Sequence, residues 1–163
     1  MERLAATALA VLAVGASSAS GATPAVPAFE QQQIKALLTQ VGFADLAFAP
    51  TRLPPHFGFE SYSVGGSPAG LNVTFLDQRF AATPAQAHAH EFSLDVGYLA
   101  HGTSCNAGAK TTARIVGVTV YSNAARAWRC FATGHGRIAR AVVSGNATRA
   151  ALAAVVASVR KLP

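Results

Sequence analysis

Few residues in this chain are able to do chemistry, and their spacing limits what that chemistry is. The only two cysteines are Cys105 and Cys130. Free, such a pair is a nucleophile or part of a metal site; oxidised, it is a structural staple. His88-Ala89-His90-Glu91 places two imidazoles on one side of an extended segment, the beginning of a zinc or copper site, with His56, His101 or His135 as further donors. No third and fourth ligand at defined spacing completes it. Solvated histidines in a connector are the commoner meaning of such a pattern, so no metal or cofactor is expected. Serine, histidine and aspartate all occur, but Gly65-Gly66-Ser67-Pro68-Ala69 lacks the final glycine of a nucleophile elbow. The few acids, scattered over polar strand positions and helix ends, do not pair for glycoside chemistry. No catalytic residue is assigned, and the chain reads as non-enzymatic.

Charge is the stronger signal. The chain carries 13 Lys and Arg against 7 Asp and Glu, net +6. All the acids lie before His101. After it come Lys110, Arg114, Arg126, Arg129, Arg137, Arg140, Arg149, Arg160 and Lys161 with no carboxylate side chain among them. Such asymmetry argues for association with something anionic. Arg114, Arg126, Arg129, Arg137 and Arg140 are the candidate binding residues, for an anionic envelope component or an acidic protein. Tyr121, Trp128 and Phe131 beside these arginines have the ingredients of a nucleic-acid surface. No recognition motif supports one, and none is expected in an exported protein.

Export is inferred from the start of the chain. Arg3 precedes an apolar run, Leu4 to Ala16, followed by small residues with signal-peptidase-like sites after Ala19 or Ala22. That run is too short to cross a bilayer core of about 30 Å, and no later segment reaches 18 apolar residues. The expected organisation is a secretory signal over 1–22 and one exported domain over 23–163, in the bacterial envelope or beyond, with no transmembrane helix after signal removal. In that setting Cys105 and Cys130 are most simply a disulfide, contributing ~3.5 kcal/mol by loop closure.

The elements that position these residues follow from periodicity. Thr23 to Phe29 reads as a mobile leader. Glu30 to Val41 is an amphipathic helix with Ile34, Leu37, Leu38 and Val41 on one stripe and Gly42 as its stop. Strands are predicted over Phe57–Val64, Leu71–Leu76, Phe92–Tyr98, Ala113–Tyr121, Arg126–Ala132 and Arg137–Val143. Asn146 is the expected N-cap of a second helix over 147–161, with Leu152, Val155, Val156 and Val159 inward and Arg160 and Lys161 on the helix dipole. If Tyr121 pairs with Arg126, Cys130 lies opposite Gly117 and Trp128 opposite Thr119, with Arg114 and Arg129 on the other face. The sum is an α+β domain: a single antiparallel, mostly meander, curved sheet of about six strands with an N-terminal and a C-terminal helix.

Leu53-Pro54-Pro55-His56-Phe57, Val116-Gly117-Val118, Trp128, Gly134, Val142-Val143-Ser144-Gly145 and a final helix ending Val155-Val156-Ala157-Ser158 form a recognisable set. Over roughly residues 47–160 the chain resembles an uncharacterised family of small exported bacterial domains, also found behind the membrane anchors of anti-sigma-factor-like proteins. It departs from that pattern at His56, where glycine is more usual. The resemblance implies an envelope setting and, remotely, kinship with half-open barrels that carry lipoproteins. A cradle for an apolar, lipid-like ligand is therefore the alternative to the anionic-partner reading, with an uncharacterised hydrolase or metal site behind both.

Overall fold

A computed structural model describes residues 25–65, 70–83, 86 and 88–163. The expected signal and the turn over Gly66–Pro68 lie outside the described residues. Helix α1 (Ala28–Gln40) begins after Pro27. It ends as the sequence suggests: Gly42 takes φ +80°, its N–H donates to Thr39 O at 3.1 Å, and Phe43 N–H donates to Leu38 O at 2.7 Å. These two bonds satisfy carbonyls that a helix end otherwise leaves open. Ile34 and Leu38 are buried, but Leu37 and Val41 remain 39% and 47% exposed, so the buried stripe is narrower than the predicted one. The leader is not loose along its described part, because Val26 is buried.

Among the described residues nine strands follow: β1 (Phe48–Pro50), β2 (Phe57–Gly65), β3 (Gly70–Asp77), β4 (Glu91–Tyr98), β5 (Thr111–Ile115), β6 (Val118–Ser122), β7 (Arg126–Ala132), β8 (Ile138–Gly145) and, after helix α2 (Arg149–Ser158), β9 (Val159–Lys161). Seven form one sheet in the order β2-β3-β4-β8-β7-β6-β5, every pair antiparallel. Two meanders, β2–β4 and β5–β8, are thus joined through β4 and β8. The extra strand comes from the predicted run Ala113–Tyr121, which folds back on itself. Ile115 pairs with Val118, and Val116 and Gly117 take φ +48° and +77° in a two-residue turn. Left-handed conformation at both central positions matches the twist of a hairpin.

Tyr121 pairs with Trp128 rather than Arg126, so β7 is displaced along β6 by two residues from the expected register. Gly117 lies in the β5–β6 turn rather than opposite Cys130, whose partner in β8 is Arg140. Since paired residues share a face, Arg114, opposite Thr119, shares the face of Trp128, contrary to the sequence-based expectation.

One face of the sheet carries the core. Leu71, Val73 and Phe75 of β3 meet Val96, Leu94 and Phe92 of β4, with Ala141 and Val143 of β8 alongside. The small side chains Ala127, Ala139 and Ala141 let α2 lie close on β6–β8, where it buries Leu152, Val155 and Val156. The N-cap of α2 is Thr148, whose Oγ1 accepts from Ala151 N at 3.2 Å. Asn146, the predicted cap, instead donates from Nδ2 to Ala89 O at 2.9 Å.

The helix stops at Ser158, short of the predicted Lys161. Ser158 Oγ donates to Val155 O at 2.7 Å and accepts from Arg52 N at 3.2 Å, drawing the chain out of helical bonding. The next three residues pair with β1 as a two-stranded ribbon, which buries Val159.

Candidate functional site

Cys105 and Cys130 form a disulfide with Cα atoms 6.1 Å apart. It fastens the 99–110 connection over the face of the sheet opposite the helices. Trp128 Nε1 donates to Cys105 O at 2.7 Å, and the indole is 2% exposed beneath that loop. The cystine and indole are therefore a structural closure, and neither thiol is free.

Among the described residues the histidine side chains do not converge. His88–His90 is a turn of 3-10 helix rather than an extended segment, and the His90 ring stacks on Phe80 with centroids 3.6 Å apart. The side chain of His88 lies outside the described residues. No group of three potential metal ligands occurs among the described residues.

The five arginines divide into three settings. Register puts Arg126 and Arg140 with Trp128 and Cys130 on the face the helices leave uncovered, where the 99–110 loop lies over Trp128, and Arg114 joins them through its pairing with Thr119. Arg137 lies across the ring of Tyr98, 3.3 Å from its centroid. Arg129 faces the helix layer: its guanidinium is 4.2 Å from the Phe131 centroid, and Nη1 donates to Ala157 O at 3.3 Å. Burial, followed by the neighbouring Arg160 charge, holds its pKa below the ordinary arginine value. None of the five takes part in the ion pair found among the described residues, Asp77–Arg79 at 2.6 Å.

A second feature was not anticipated. A cleft of about 440 Å³ opens between the Thr51–Pro55 segment, the β5–β6 turn and α2. Its walls are largely apolar: Leu53, Pro54, Ile115, Ala154 and Val155. Arg52 and Arg160, both exposed, also line it, and no carboxylate does. Arg160 Nη1 donates to Ala157 O at 2.8 Å and Val159 O at 2.7 Å, so this guanidinium sits at the negative end of the α2 dipole. The expectation that Arg160 complements that dipole thus holds although the residue lies in β9. Val116, 79% exposed, stands at the cleft's edge with a positive φ that β-branched residues rarely adopt.

Of these cleft residues, Leu53-Pro54-Pro55 and Val116 were visible in the sequence as a pattern, but nothing in their spacing brings them together. A further hollow of about 390 Å³ lies on the uncovered face beside Asn72, Asp95 and Arg140. There Asn72 Nδ2 donates to Asp95 Oδ1 at 2.7 Å. No protein-family model, curated protein or solved structure matches this chain.

Proposed function

We propose that this protein is a non-enzymatic exported domain that binds an anionic component of the bacterial cell envelope through the uncovered face of its β5–β8 half. The observation that carries the reading is the register, which aligns Arg114, Arg126 and Arg140 on a sheet face that neither helix covers. The absence of any acidic side chain from His101 onward leaves that half strongly positive. The Cys105–Cys130 bond suits an oxidising compartment. Membership of the small exported bacterial family suggested by the sequence motifs belongs to the same proposal.

Vesicles containing an anionic phospholipid test it by co-sedimentation at low and physiological salt. A cation near such a surface contributes about 1 kcal/mol, so changing Arg114, Arg126 and Arg140 together to Ser should weaken binding about a hundredfold. Salt should weaken wild-type binding steeply. Equal binding by wild-type and triple variant, or binding indifferent to salt, overturns the reading.

A further inference from the structure

We propose that the cleft beneath the β5–β6 turn is a binding site for a single-chain anionic amphiphile, an acyl carboxylate in its simplest form. This site is separate from the arginines of the uncovered face and stands whether or not they bind a surface.

The apolar part of the ligand is set by the walls. Over β3, β4 and β8 the inner face of the sheet is filled by its own side chains and the helices, while a wider hollow of about 620 Å³ lies over Phe57 and Phe59 of β2 and shares Thr51, Arg52, Leu53 and Pro54 with the cleft. The cleft lies at the edge of α2, and its 440 Å³ falls toward the lower end of the range for small-molecule sites, about 300–1,000 Å³. That is room for one chain. Its polar lining is already committed: Thr51 Oγ1 donates to Ser158 O at 3.0 Å, and Ser158 Oγ is bonded to Val155 and Arg52. A sugar would find few free partners there, whereas a hydrocarbon needs none.

The head is set by charge. Arg52 and Arg160 line the cleft, and Arg129 shares the Ala157 carbonyl with Arg160. These cations have no carboxylate among the lining residues. An anionic head beside Arg52 and Arg160 accepts charge-assisted hydrogen bonds from them.

The third observation is Val116. A turn of this geometry favours asparagine or glycine, yet here it holds an exposed β-branched side chain in the left-handed region. As a purely structural residue Val116 is a liability. As the apolar lip of an occupied cleft, it gains contact with the chain lying under it.

Calorimetric titration of the full chain with myristate below its micelle concentration tests the assignment, with myristyl alcohol and inorganic phosphate as partial ligands. Myristate should bind, the alcohol about tenfold more weakly for want of the charge-assisted contacts, and phosphate negligibly. Changing Arg52 and Arg160 together to Ser should erase the preference for myristate and leave the alcohol unaffected. Ala154 is exposed on α2, so Ala154→Phe should fill the cleft and abolish both without unfolding the protein. Val116→Gly should raise the melting temperature yet weaken myristate, a combination that a structural role does not produce.

The proposal falls if Ala154→Phe binds myristate like wild type, if phosphate binds as tightly as myristate, or if nothing binds. Vesicle binding that survives Ala154→Phe but is lost with the Arg114, Arg126 and Arg140 changes belongs to the uncovered face. It says nothing in favour of the cleft.

Discussion

The two meanders of the sheet solve the same burial problem differently. In β2–β4 the strands bring their own bulk: Phe75 and Phe92 stack with centroids 5.1 Å apart, and Leu71, Val73, Leu94 and Val96 complete the layer. In β5–β8 the inward positions Ala127, Ala139 and Ala141 are small, and α2 supplies the bulk from above. The first half also holds all the strand carboxylates; the second holds arginines, the cystine and one wall of the cleft. A half that borrows its core from a helix has an edge where helix and strand tips part. The cleft is found at that edge.

The largest expected effect separates the two packing modes. Phe75→Ala should cost about 3–5 kcal/mol, because its large side chain leaves a hole that neighbouring strands cannot close. Ala141→Leu should cost about 1–3 kcal/mol by pushing α2 off β8, whereas a loosely packed second half would absorb the added methyls. Denaturant midpoints at constant m-value measure both; a neutral Ala141→Leu would break the contrast.

Next comes the staple. Changing Cys105 and Cys130 together to Ser should lower stability by about 3.5 kcal/mol and raise Trp128 exposure, read as a red-shifted indole emission. Loss of stability with an unmoved emission would show that the loop stays seated through its other contacts.

The smallest effect concerns acid. The side-chain hydrogen bond from Arg79 holds the Asp77 carboxyl well below its usual value, at about 2. The unfolded chain titrates this group near 3.9, so it takes up its proton at a higher pH than the folded protein does. The contribution of Asp77 is therefore present above about pH 4 and lost as pH falls toward 2. Arg79 is 61% exposed, so the effect is modest. Between pH 5 and 2, amide protection relative to the intrinsic exchange rate should fall in β2–β4 before β5–β8, where no side-chain carboxylate titrates. Asp77→Asn should remove part of that difference.

Much of the fold was legible because its signals were local. Alternation marked β3, β4 and β7, the Leu152/Val155/Val156 stripe marked α2, and Gly42 marked the end of α1. Three features escaped, each for a physical reason. The β5–β6 turn hides within Ile115-Val116-Gly117-Val118, a run whose β-branching reads as continuous strand. Only strand pairing on both sides keeps Val116 in its unfavourable conformation.

The end of α2 is decided by Ser158 and a strand distant in sequence, not by helix propensity, which favours continuing. The cleft draws on three separated segments, so no window contains it. For the arginines, alternation along β7 correctly separated Arg129 from Trp128. The unrecognised turn then reversed the side assigned to Arg114.

The joint at Ser158 has a kinetic consequence. Its bonds to Thr51 span 107 residues of sequence, and among the described residues β1 has no other strand to pair with. Contacts of such separation form late, after local hairpins have been laid down. The walls of the cleft are therefore expected to meet after the local hairpins have formed, and a ribbon of two three-residue strands is a short piece to release again. Emptying and refilling the cleft can then proceed by unzipping this short ribbon while the seven-stranded sheet stays intact. Exchange of the Thr51 and Leu162 amides, bonded across the joint to Ser158 O and Ala47 O, would time each opening.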